Sequence, residues 1–312
     1  MKSLVIGAAG FVGHYLCDYL SKCGHDVYAT KLKNEMLELD VNVYDLDILN
    51  QQEISSLLNE IKPDMIFHLA AQSSVRLSWE APQLTADVNI KGTINLLEAL
   101  RQSDCRSKVL LIGSGEEYGY IEPGEVPVKE TTPLRSGNIY AVTKVCQEML
   151  GSVYARAYSM DIVAVRAFNH VGPGQLPQFV VSDFCRQTAL IENGMQEPVI
   201  NVGNLSARRD FTDVRDVVRA YVLLMESGVS GEVYNVGSGH ARSIESMLCM
   251  ILSQSSVDIK VQVDKSKMRP SDIPVIEADI SKIYAHTSWR PQIDIEQTIK
   301  DTLCYWRSKF SR

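Results

Sequence analysis

A tyrosine–lysine pair in the middle of the chain is the first feature that could perform chemistry. Tyr140 and Lys144 are four residues apart, so they would share one face of a helix. A free tyrosine has a pKa of about 10, and a neighbouring ammonium group lowers that pKa by favouring the phenolate. Such a pair can transfer a proton near neutral pH, and Ser114, at a predicted strand end, could orient the reacting oxygen. The spacing also occurs on solvated helices, so the rest of the pattern must support it.

A glycine-rich turn near the beginning of the chain is the second feature. The segment Gly7-Ala-Ala-Gly10-Phe-Val-Gly13 follows a short apolar run and precedes a stretch with helical spacing. Glycines there permit a tight turn, and the helix N-terminus can bind a pyrophosphate. The same spacing also serves simple strand-to-helix packing, but this context favours a nicotinamide dinucleotide. The predicted cofactor contacts in this turn are Gly7, Gly10, Phe11, Val12 and Gly13.

The end of the second predicted strand bears on the choice of cofactor. Thr30 occupies the position where the ribose hydroxyls are usually contacted, and Lys31 and Lys33 follow it. An acidic residue there selects against a 2′-phosphate, whereas cations tolerate one. We therefore expect NADP(H), with NAD(H) as the alternative, although the lysines could be merely solvated. Further predicted cofactor contacts are Asp47, Ile48, Leu69, Ala70 and Ala71, together with Tyr140 and Lys144.

Strands alternate with helices through residue 166. The predicted strands are 4–6, 26–30, 41–45, 65–69, 109–112 and 162–165, with helices at 11–22, 51–60, from 82 to about 101, and around Tyr140. This order predicts an α/β fold with a Rossmann-like, doubly wound parallel sheet. Shorter elements follow: strands 199–202 and 233–236, and helices near 180–192, 214–226, 243–253 and 294–309. We expect an NAD(P)-binding domain over 1–166 and a smaller α/β substrate-binding cap mainly over 167–312, with interleaving of the chain between them.

Composition limits the partners. The chain has 312 residues, is 45% hydrophobic and 22% charged, and has a net charge of −7, which argues against a nucleic-acid surface. Its seven cysteines form no C-x-x-C pair, and its six histidines show no metal-ligand spacing. We find no signal peptide and no apolar run that could span a bilayer. We therefore expect a cytoplasmic protein with no bound metal and neither membrane nor nucleic-acid partners.

Taken together, these motifs resemble the extended short-chain dehydrogenase/reductase family over essentially the whole chain. Within that family the chain is similar to the GDP-mannose branch, most of all to the reductases that convert GDP-4-keto-6-deoxy-D-mannose to GDP-D-rhamnose. The segments that carry this resemblance are His68-Leu-Ala-Ala-Gln-Ser-Ser-Val75, Gly113-Ser-Gly-Glu-Glu-Tyr-Gly119, Phe168-Asn-His-Val-Gly-Pro-Gly-Gln175, Val202-Gly-Asn-Leu205, Arg209-Asp-Phe-Thr-Asp-Val and Arg269-Pro-Ser-Asp272.

The resemblance implies an NAD(P)H-dependent reduction of a 4-keto sugar bound as its GDP derivative. The product would be GDP-D-rhamnose or, with the other configuration at carbon 4, GDP-6-deoxy-D-talose. The implied catalytic residues are Ser114, Tyr140, Lys144 and Glu116. The implied substrate contacts are Ser73, Ser114, Glu116, Asn169, Val202, Asn204, Arg209 and Arg269.

Several of these residues also have plain structural interpretations. Arg209 could pair with Asp210 or Asp213, and Asp213 could be a helix cap. The Gly172-Pro-Gly174 segment could be only a turn. Asn89 could help to fix Lys144 or could be a buried structural amide.

Other functions remain open at this point. GDP-mannose 4,6-dehydratases share the implied site, and Glu116 occupies the position of their glutamate. Against that reading, Ser114 replaces their threonine, and a short connection from Thr30 to Val41 stands where they carry a long, Arg-containing insertion. An epimerase acting on another nucleotide sugar is a third possibility. A non-enzymatic NADP(H)-binding sensor would be expected to lack Tyr140 or Lys144.

The resemblance also implies a homodimer through a four-helix bundle. Its helices would be those near 83–101 and 139–158. Apolar Ile94, Leu97, Val145 and Met149 are candidates for that interface, although any of them could equally belong to the core.

Overall fold

A seven-stranded sheet is the centre of the computed structural model, which describes residues 1–122, 124–264 and 273–311. In chain order, the strands are β1 Lys2–Ile6, β2 Asp26–Lys31, β3 Asn42–Asp45, β4 Met65–His68, β5 Lys108–Ser114, β6 Ile162–Ala167, β7 Asn169–Val171, β8 Val199–Val202, β9 Arg208–Asp213, β10 Val233–Val236, β11 Ala241–Ser243, β12 Lys260–Val263 and β13 Val275–Ile276.

Helices cover the sheet and build most of the second half. They are α1 Phe11–Lys22, α2 Gln51–Ile61, α3 Val75–Glu80, α4 Pro82–Ala86, α5 Gly92–Gln102, α6 Ile139–Tyr158, α7 Val180–Glu192, α8 Val214–Ser227, α9 Ile244–Leu252, α10 Ser281–Thr287 and α11 Ile295–Phe310. A π-helical turn, Asp87–Lys91, joins α4 to α5, and a 3-10 turn, Gly115–Tyr118, follows β5.

The central sheet is parallel throughout, in the order β10, β6, β5, β4, β1, β2, β3. The predicted Rossmann-like, doubly wound fold is therefore confirmed. The strand order reverses between β1 and β4, and ligands bind at such a switch point, outside the carboxyl ends of the strands. The glycine-rich turn follows β1 and Ser114 ends β5, so both lie at this edge.

Two apolar layers hold the sheet between its helices. One face packs on α1 and α8 through residues such as Leu16 and Tyr221, and the other packs on α2 and α5 through residues such as Leu58 and Leu97. Leu97 is fully buried there, so this candidate interface residue belongs to the core. A third cluster, including Phe184, Met247 and Ile299, stabilises the second half.

The second half extends the central sheet and adds two smaller sheets. Strand β10 joins the central sheet beside β6, so the chain returns to the first half after residue 167. Four further strands, β7, β9, β11 and β13, form a small sheet, and β12 pairs with β8. Of the strands that the sequence did not predict, β7, β9, β11 and β13 are short or mainly polar, whereas β12 alternates polar and apolar residues over only four positions.

The predicted helix from Pro82 to about residue 101 is continuous, with a π-helical turn in its middle. It is α4, the π-helical turn and α5, and α3 precedes it from Val75. Within the ranges that the structure describes, no helix combines the length and the apolar character needed to cross a membrane.

Candidate active site

A cavity of about 830 Å³ opens at the carboxyl edge of the central sheet, between the sheet and the elements of the second half. Arg269 lies outside the described residues. The other residues predicted to bind cofactor or substrate all line this cavity: Gly7, Gly10, Phe11, Val12, Gly13, Thr30, Lys31, Asp47, Ile48, Leu69, Ala70, Ala71, Ser73, Ser114, Glu116, Tyr140, Lys144, Asn169, Val202, Asn204 and Arg209.

The glycine-rich turn has the geometry that a dinucleotide requires. Gly7 has a φ of +86°, and a Cβ there would lie 2.7 Å from the Ala70 backbone. Gly10 is the N-cap of α1, with no side-chain cap hydrogen bond, and the first turn of α1 contains no acidic residue. The first N–H groups of α1 can therefore receive a pyrophosphate, which the helix dipole also favours. The turn fits the cofactor that its sequence predicts.

Charged residues surround the end of β2 more closely than the sequence suggests. Thr30 is buried, and its hydroxyl accepts a hydrogen bond from Gly7 N at 3.2 Å. Lys31 Nζ forms an ion pair with Asp45 Oδ1 at 2.6 Å, so this lysine is not merely solvated. Glu35, which the sequence interpretation did not select, also lines the cavity and accepts from Leu32 N at 2.9 Å. Lys31, which was expected to tolerate a 2′-phosphate, therefore shares this region with two carboxylates.

Tyr140 lies in the first turn of α6, where Asn138 caps the helix by accepting from Ala141 N at 2.8 Å. Burial raises the pKa of Tyr140, and a hydrogen bond with Ser114 opposes that rise. Burial sets the direction of this pKa in the structure, and the lowering by Lys144 that the spacing predicts stays a prediction. A tyrosine in this state is protonated at neutral pH and can act as an acid.

Lys144 is held beneath the site by two hydrogen bonds. Its Nζ donates to Ile112 O at 2.7 Å and to Gln147 Oε1 at 2.9 Å. Burial lowers the pKa of Lys144 to about 8, and the Glu117 carboxyl opposes that shift. These bonds fix its ammonium against the end of β5, in the lining of the cavity.

Asn89 uses its polar atoms within the protein. Its amide group donates to Thr143 Oγ1 at 2.9 Å and to Gln72 O at 3.1 Å, and its oxygen accepts from Gln72 N at 2.8 Å. Of the two interpretations of Asn89, these contacts favour the buried structural amide. It fixes α6 through Thr143, one residue before Lys144.

Two adjacent glutamates follow Ser114 and have different surroundings. Glu116 lines the cavity and accepts from Asn138 Nδ2 at 3.2 Å. Glu117 is fully buried and accepts from Ser114 N at 2.6 Å. The sequence interpretation missed Glu117, although Ser114-Gly-Glu-Glu117 matches the spacing of a capping box, and the structure contains one.

The second half contributes Asn169, Val202, Asn204 and Arg209 to the cavity. Asn204 Oδ1 accepts from Ser206 N at 3.0 Å and from Ser206 Oγ at 2.7 Å. Arg209 Nη1 donates to Ile273 O at 2.7 Å and to Arg208 O at 2.9 Å. Backbone carbonyls therefore fix part of the Arg209 guanidinium at the cavity wall.

The two carboxylates near Arg209 are engaged with other groups. Asp210 accepts from Ser238 N, Ser238 Oγ, Gly239 N and Ala278 N. Asp213 caps α8 and pairs with Arg215 at 2.7 Å. Asp213 is therefore the helix cap that the structural interpretation predicted.

The Gly172-Pro-Gly174 segment is a turn that also connects the two halves. Gly174 has a φ of +87°, and Tyr15 OH donates to Pro173 O at 2.7 Å. Beside this turn, His170 stacks on Phe11 with ring centroids 6.1 Å apart. His170 lines the cavity without having been selected from the sequence, where its place in the Phe-Asn-His segment was the available signal.

The chain is similar to known proteins over nearly its whole length. The family model for GDP-mannose 4,6 dehydratase matches residues 4–302. The chain is 32% identical to GDP-6-deoxy-D-mannose reductase of Pseudomonas aeruginosa, over 99% of this chain and 98% of that one. It is 27% identical to GDP-mannose 4,6-dehydratase of Yersinia enterocolitica, over 95% of this chain and 91% of that one. The solved structure of RMD from Pseudomonas aeruginosa complexed with NADPH has a TM-score of 0.88 and 30% identity, covering 99% of this chain and 100% of that one.

Proposed function

The chain belongs to the GDP-mannose 4,6 dehydratase family of NAD(P)-dependent enzymes, and from that premise we propose that it reduces the 4-keto group of GDP-4-keto-6-deoxy-D-mannose. The product is GDP-D-rhamnose, or GDP-6-deoxy-D-talose if the hydride reaches the opposite face of the sugar. The observation that carries the proposal is the placement of buried Tyr140 beside Ser114 at the end of β5, in a chain similar over nearly its full length to a GDP-6-deoxy-D-mannose reductase.

The reaction needs a proton donor and a means of holding the carbonyl. The nicotinamide cofactor, when bound, supplies the hydride. Ser114 Oγ donates a hydrogen bond to the 4-keto oxygen, and Tyr140 OH transfers its proton to that oxygen as the hydride arrives at carbon 4. The ammonium of Lys144 stabilises the phenolate that remains, until solvent returns the proton.

Chain length supports a reductase over a dehydratase. The alignment with the Yersinia enterocolitica dehydratase extends over 341 positions, whereas this chain has 312 residues, so that relative carries segments absent here. Between β2 and β3, where dehydratases were expected to carry their insertion, this chain has a short connection from Lys31 to Asn42. The dehydratase remains the second candidate because Glu116 lines the cavity.

We propose NADPH as the preferred reductant, with Lys31 and Lys33 as the cations that meet its 2′-phosphate. The NADPH complex of a similar structure supports this choice. The negative charges of Asp45 and Glu35 oppose the binding of that phosphate. The assay below measures the preference.

A nicotinamide absorbance assay tests the activity. Purified protein is incubated with GDP-mannose or with freshly prepared GDP-4-keto-6-deoxy-D-mannose, each with NADPH and with NADH. Consumption of the reduced cofactor with the keto sugar alone is the expected result, and the faster cofactor gives the preference. Conversion of GDP-mannose without net consumption would instead identify a dehydratase with catalytic Glu116. No reaction with either sugar would reject the proposal.

A homodimer is proposed for the assembly, formed by α6 and the adjoining α3 and α4. Val142, Met149 and Val153 are each about half exposed or more and recur on one face of α6 at intervals of seven and four residues. Trp79 and Leu84, also exposed, lie on helices that pack beside α6. A second copy of the chain would cover this apolar surface.

A further inference from the structure

Glu117 is a buried carboxylic acid directly behind the proposed catalytic residues, and the reduction described above does not use it. Its side chain is fully buried, and Oε1 accepts from Ser114 N at 2.6 Å. Gly113 leaves the space for this carboxyl group, because a Cβ at Gly113 would collide with Glu117 Oε1. The carboxyl thus holds the main chain at the strand end where Ser114 meets the substrate.

The second carboxyl oxygen of Glu117 lies in different surroundings from the first. Among the described residues, Oε2 is buried with no hydrogen bond, and the nearest cation is Arg166 Nε at 3.9 Å. Arg166 is held instead by Glu148, through Nε–Oε2 at 2.8 Å and Nη2–Oε1 at 2.7 Å. The Glu148 carboxylate therefore already balances the charge of Arg166. An ionised Glu117 would be an additional negative charge, buried away from water.

Several titratable groups surround this carboxyl. Arg166 approaches it from β6, while Glu148, Lys144 and Tyr140 approach from α6. Burial and the Glu148 carboxylate raise the pKa of Glu117 to about 8, against the opposing effects of Ser114 N, Arg166 and Lys144. The Glu117 carboxylate in turn raises the pKa values of both Lys144 and Tyr140.

We propose that Glu117 is a positioning residue for the reduction, which holds the Ser114 main chain through one oxygen and provides a titratable charge that Lys144 and Tyr140 both sense. This inference rests on the proposed function. It assigns the buried glutamate two separable tasks, a hydrogen bond that needs only an acceptor and an electrostatic effect that needs an ionisable group.

Two variants separate these tasks. Glu117→Gln keeps an acceptor for Ser114 N but cannot ionise, whereas Glu117→Leu removes both. We expect Glu117→Gln to keep the maximal kcat within about threefold, because the hydrogen bond to Ser114 persists. We expect Glu117→Leu to lower kcat by about tenfold or more at every pH, because a buried N–H loses its partner.

The pH profile of kcat is the decisive readout. The reduction requires protonated Tyr140 and Lys144, so kcat falls as these groups lose their protons. Removing the Glu117 carboxylate lowers both pKa values, so Glu117→Gln should move the alkaline limb to lower pH by about half a unit or more. Glu192→Gln is the matched control, because Glu192 is a largely buried carboxylate paired with Arg307 outside the cavity lining. This control should leave the limb unmoved.

Carbon-13 NMR of glutamate-labelled protein tests the charge without any substrate. We expect one carboxyl signal of the unmodified chain to titrate near pH 8 and to disappear in Glu117→Gln. Absence of that signal, or an unmoved alkaline limb in Glu117→Gln, would overturn the proposal. If the unmodified chain reduces no sugar, the proposed function fails, while the NMR titration still decides whether Glu117 carries this charge.

Discussion

Tyr140 is the residue on which the proposed chemistry depends most directly. Burial disfavours its phenolate, so at neutral pH the side chain carries the proton that a ketone reduction consumes. Tyr140 is 8% exposed and lines the cavity in which a substrate would bind. This state suits the proton donor that a ketone reduction requires.

Replacing Tyr140 by Phe tests this role. We expect kcat to fall by about 10²- to 10⁴-fold, the range that a positioned proton donor contributes. The Kd for NADPH, measured by fluorescence titration, should change little, because the ring remains in place. Lys144→Ala should impair both turnover and cofactor binding, since Lys144 is assigned both tasks. Retained turnover in Tyr140→Phe would rule out Tyr140 as the proton donor.

Lys31 provides a second test at the scale of single residues. Its ion pair with Asp45 holds the ammonium at the end of β2, beside the expected site of the adenosine ribose. We expect Lys31→Gln to raise the KM for NADPH by about tenfold, or about 1.4 kcal/mol, and to change the KM for NADH much less. Steady-state kinetics with both cofactors measure the difference.

The companion variant Asp45→Asn releases Lys31 from its partner and should lower the KM for NADPH. Lys22→Gln, which removes an exposed cation of α1 paired with Asp18, is the control and should affect neither cofactor. Equal effects of Lys31→Gln on the two cofactors would exclude a contact with the 2′-phosphate.

At the scale of elements, the β1–α1 turn positions the cofactor through its backbone. Gly7 combines a positive φ with a close approach to Ala70, so a side chain there meets both strain and collision. Gly24, after α1, has a φ of +79° with open space around it. The two glycines therefore separate backbone strain from the close approach.

Gly7→Ala and Gly24→Ala form a matched pair. Both should lose about 1 kcal/mol of unfolding free energy to backbone strain, and Gly7→Ala should lose more because of the collision with Ala70. Only Gly7→Ala should weaken NADPH binding, by about tenfold or more, because the turn that receives the pyrophosphate must shift. Thermal melts and fluorescence titrations measure the two effects. Normal NADPH affinity in Gly7→Ala would show that the turn does not hold the cofactor.

Elements with regular apolar spacing could be predicted from the sequence. Helix α1 has the predicted bounds because Leu16, Cys17 and Leu20 form a buried stripe, whereas α6 carries Tyr140 as expected although its buried face is largely polar. Strand β9 could not be predicted, since Arg208-Arg-Asp-Phe-Thr-Asp213 contains mainly polar residues. Its Asp210 is buried only because Ser238, Gly239 and Ala278 donate to it, and these contacts are distant in the chain.

The proposed active site was likewise predictable from the sequence only in part. The side chains expected to meet ligands lie at strand ends, glycine turns and a helix face, positions that local patterns reveal. The charges behind them come from residues that meet only in the folded chain. Asp45 pairs with Lys31 from a neighbouring strand, and Glu117 lies 3.9 Å from Arg166 of β6, so tertiary packing decides which charges lie behind the site.

For the whole molecule, the exposed apolar residues of α6 are the basis of the proposed homodimer. Val142, Met149 and Val153 are 49%, 62% and 50% exposed, respectively, and Trp79 on α3 is 61% exposed. Grouped apolar residues of this kind on one face mark interaction surfaces. Lys144 and Tyr140 lie on the buried side of the same helix, so an interface there would also brace the proposed catalytic residues.

The double variant Met149→Lys, Val153→Lys tests this assembly. We expect the unmodified chain to elute with twice the mass of one 34.8 kDa chain in size-exclusion chromatography with light scattering. The variant should elute as a monomer, because two lysines placed against an apolar partner surface must be desolvated without counter-charges. Val229→Lys makes the same change at a residue that is 48% exposed, outside α6, and should remain dimeric. Dimers that persist in the double variant, or an unmodified chain that is monomeric at micromolar concentration, would show that α6 does not form the interface.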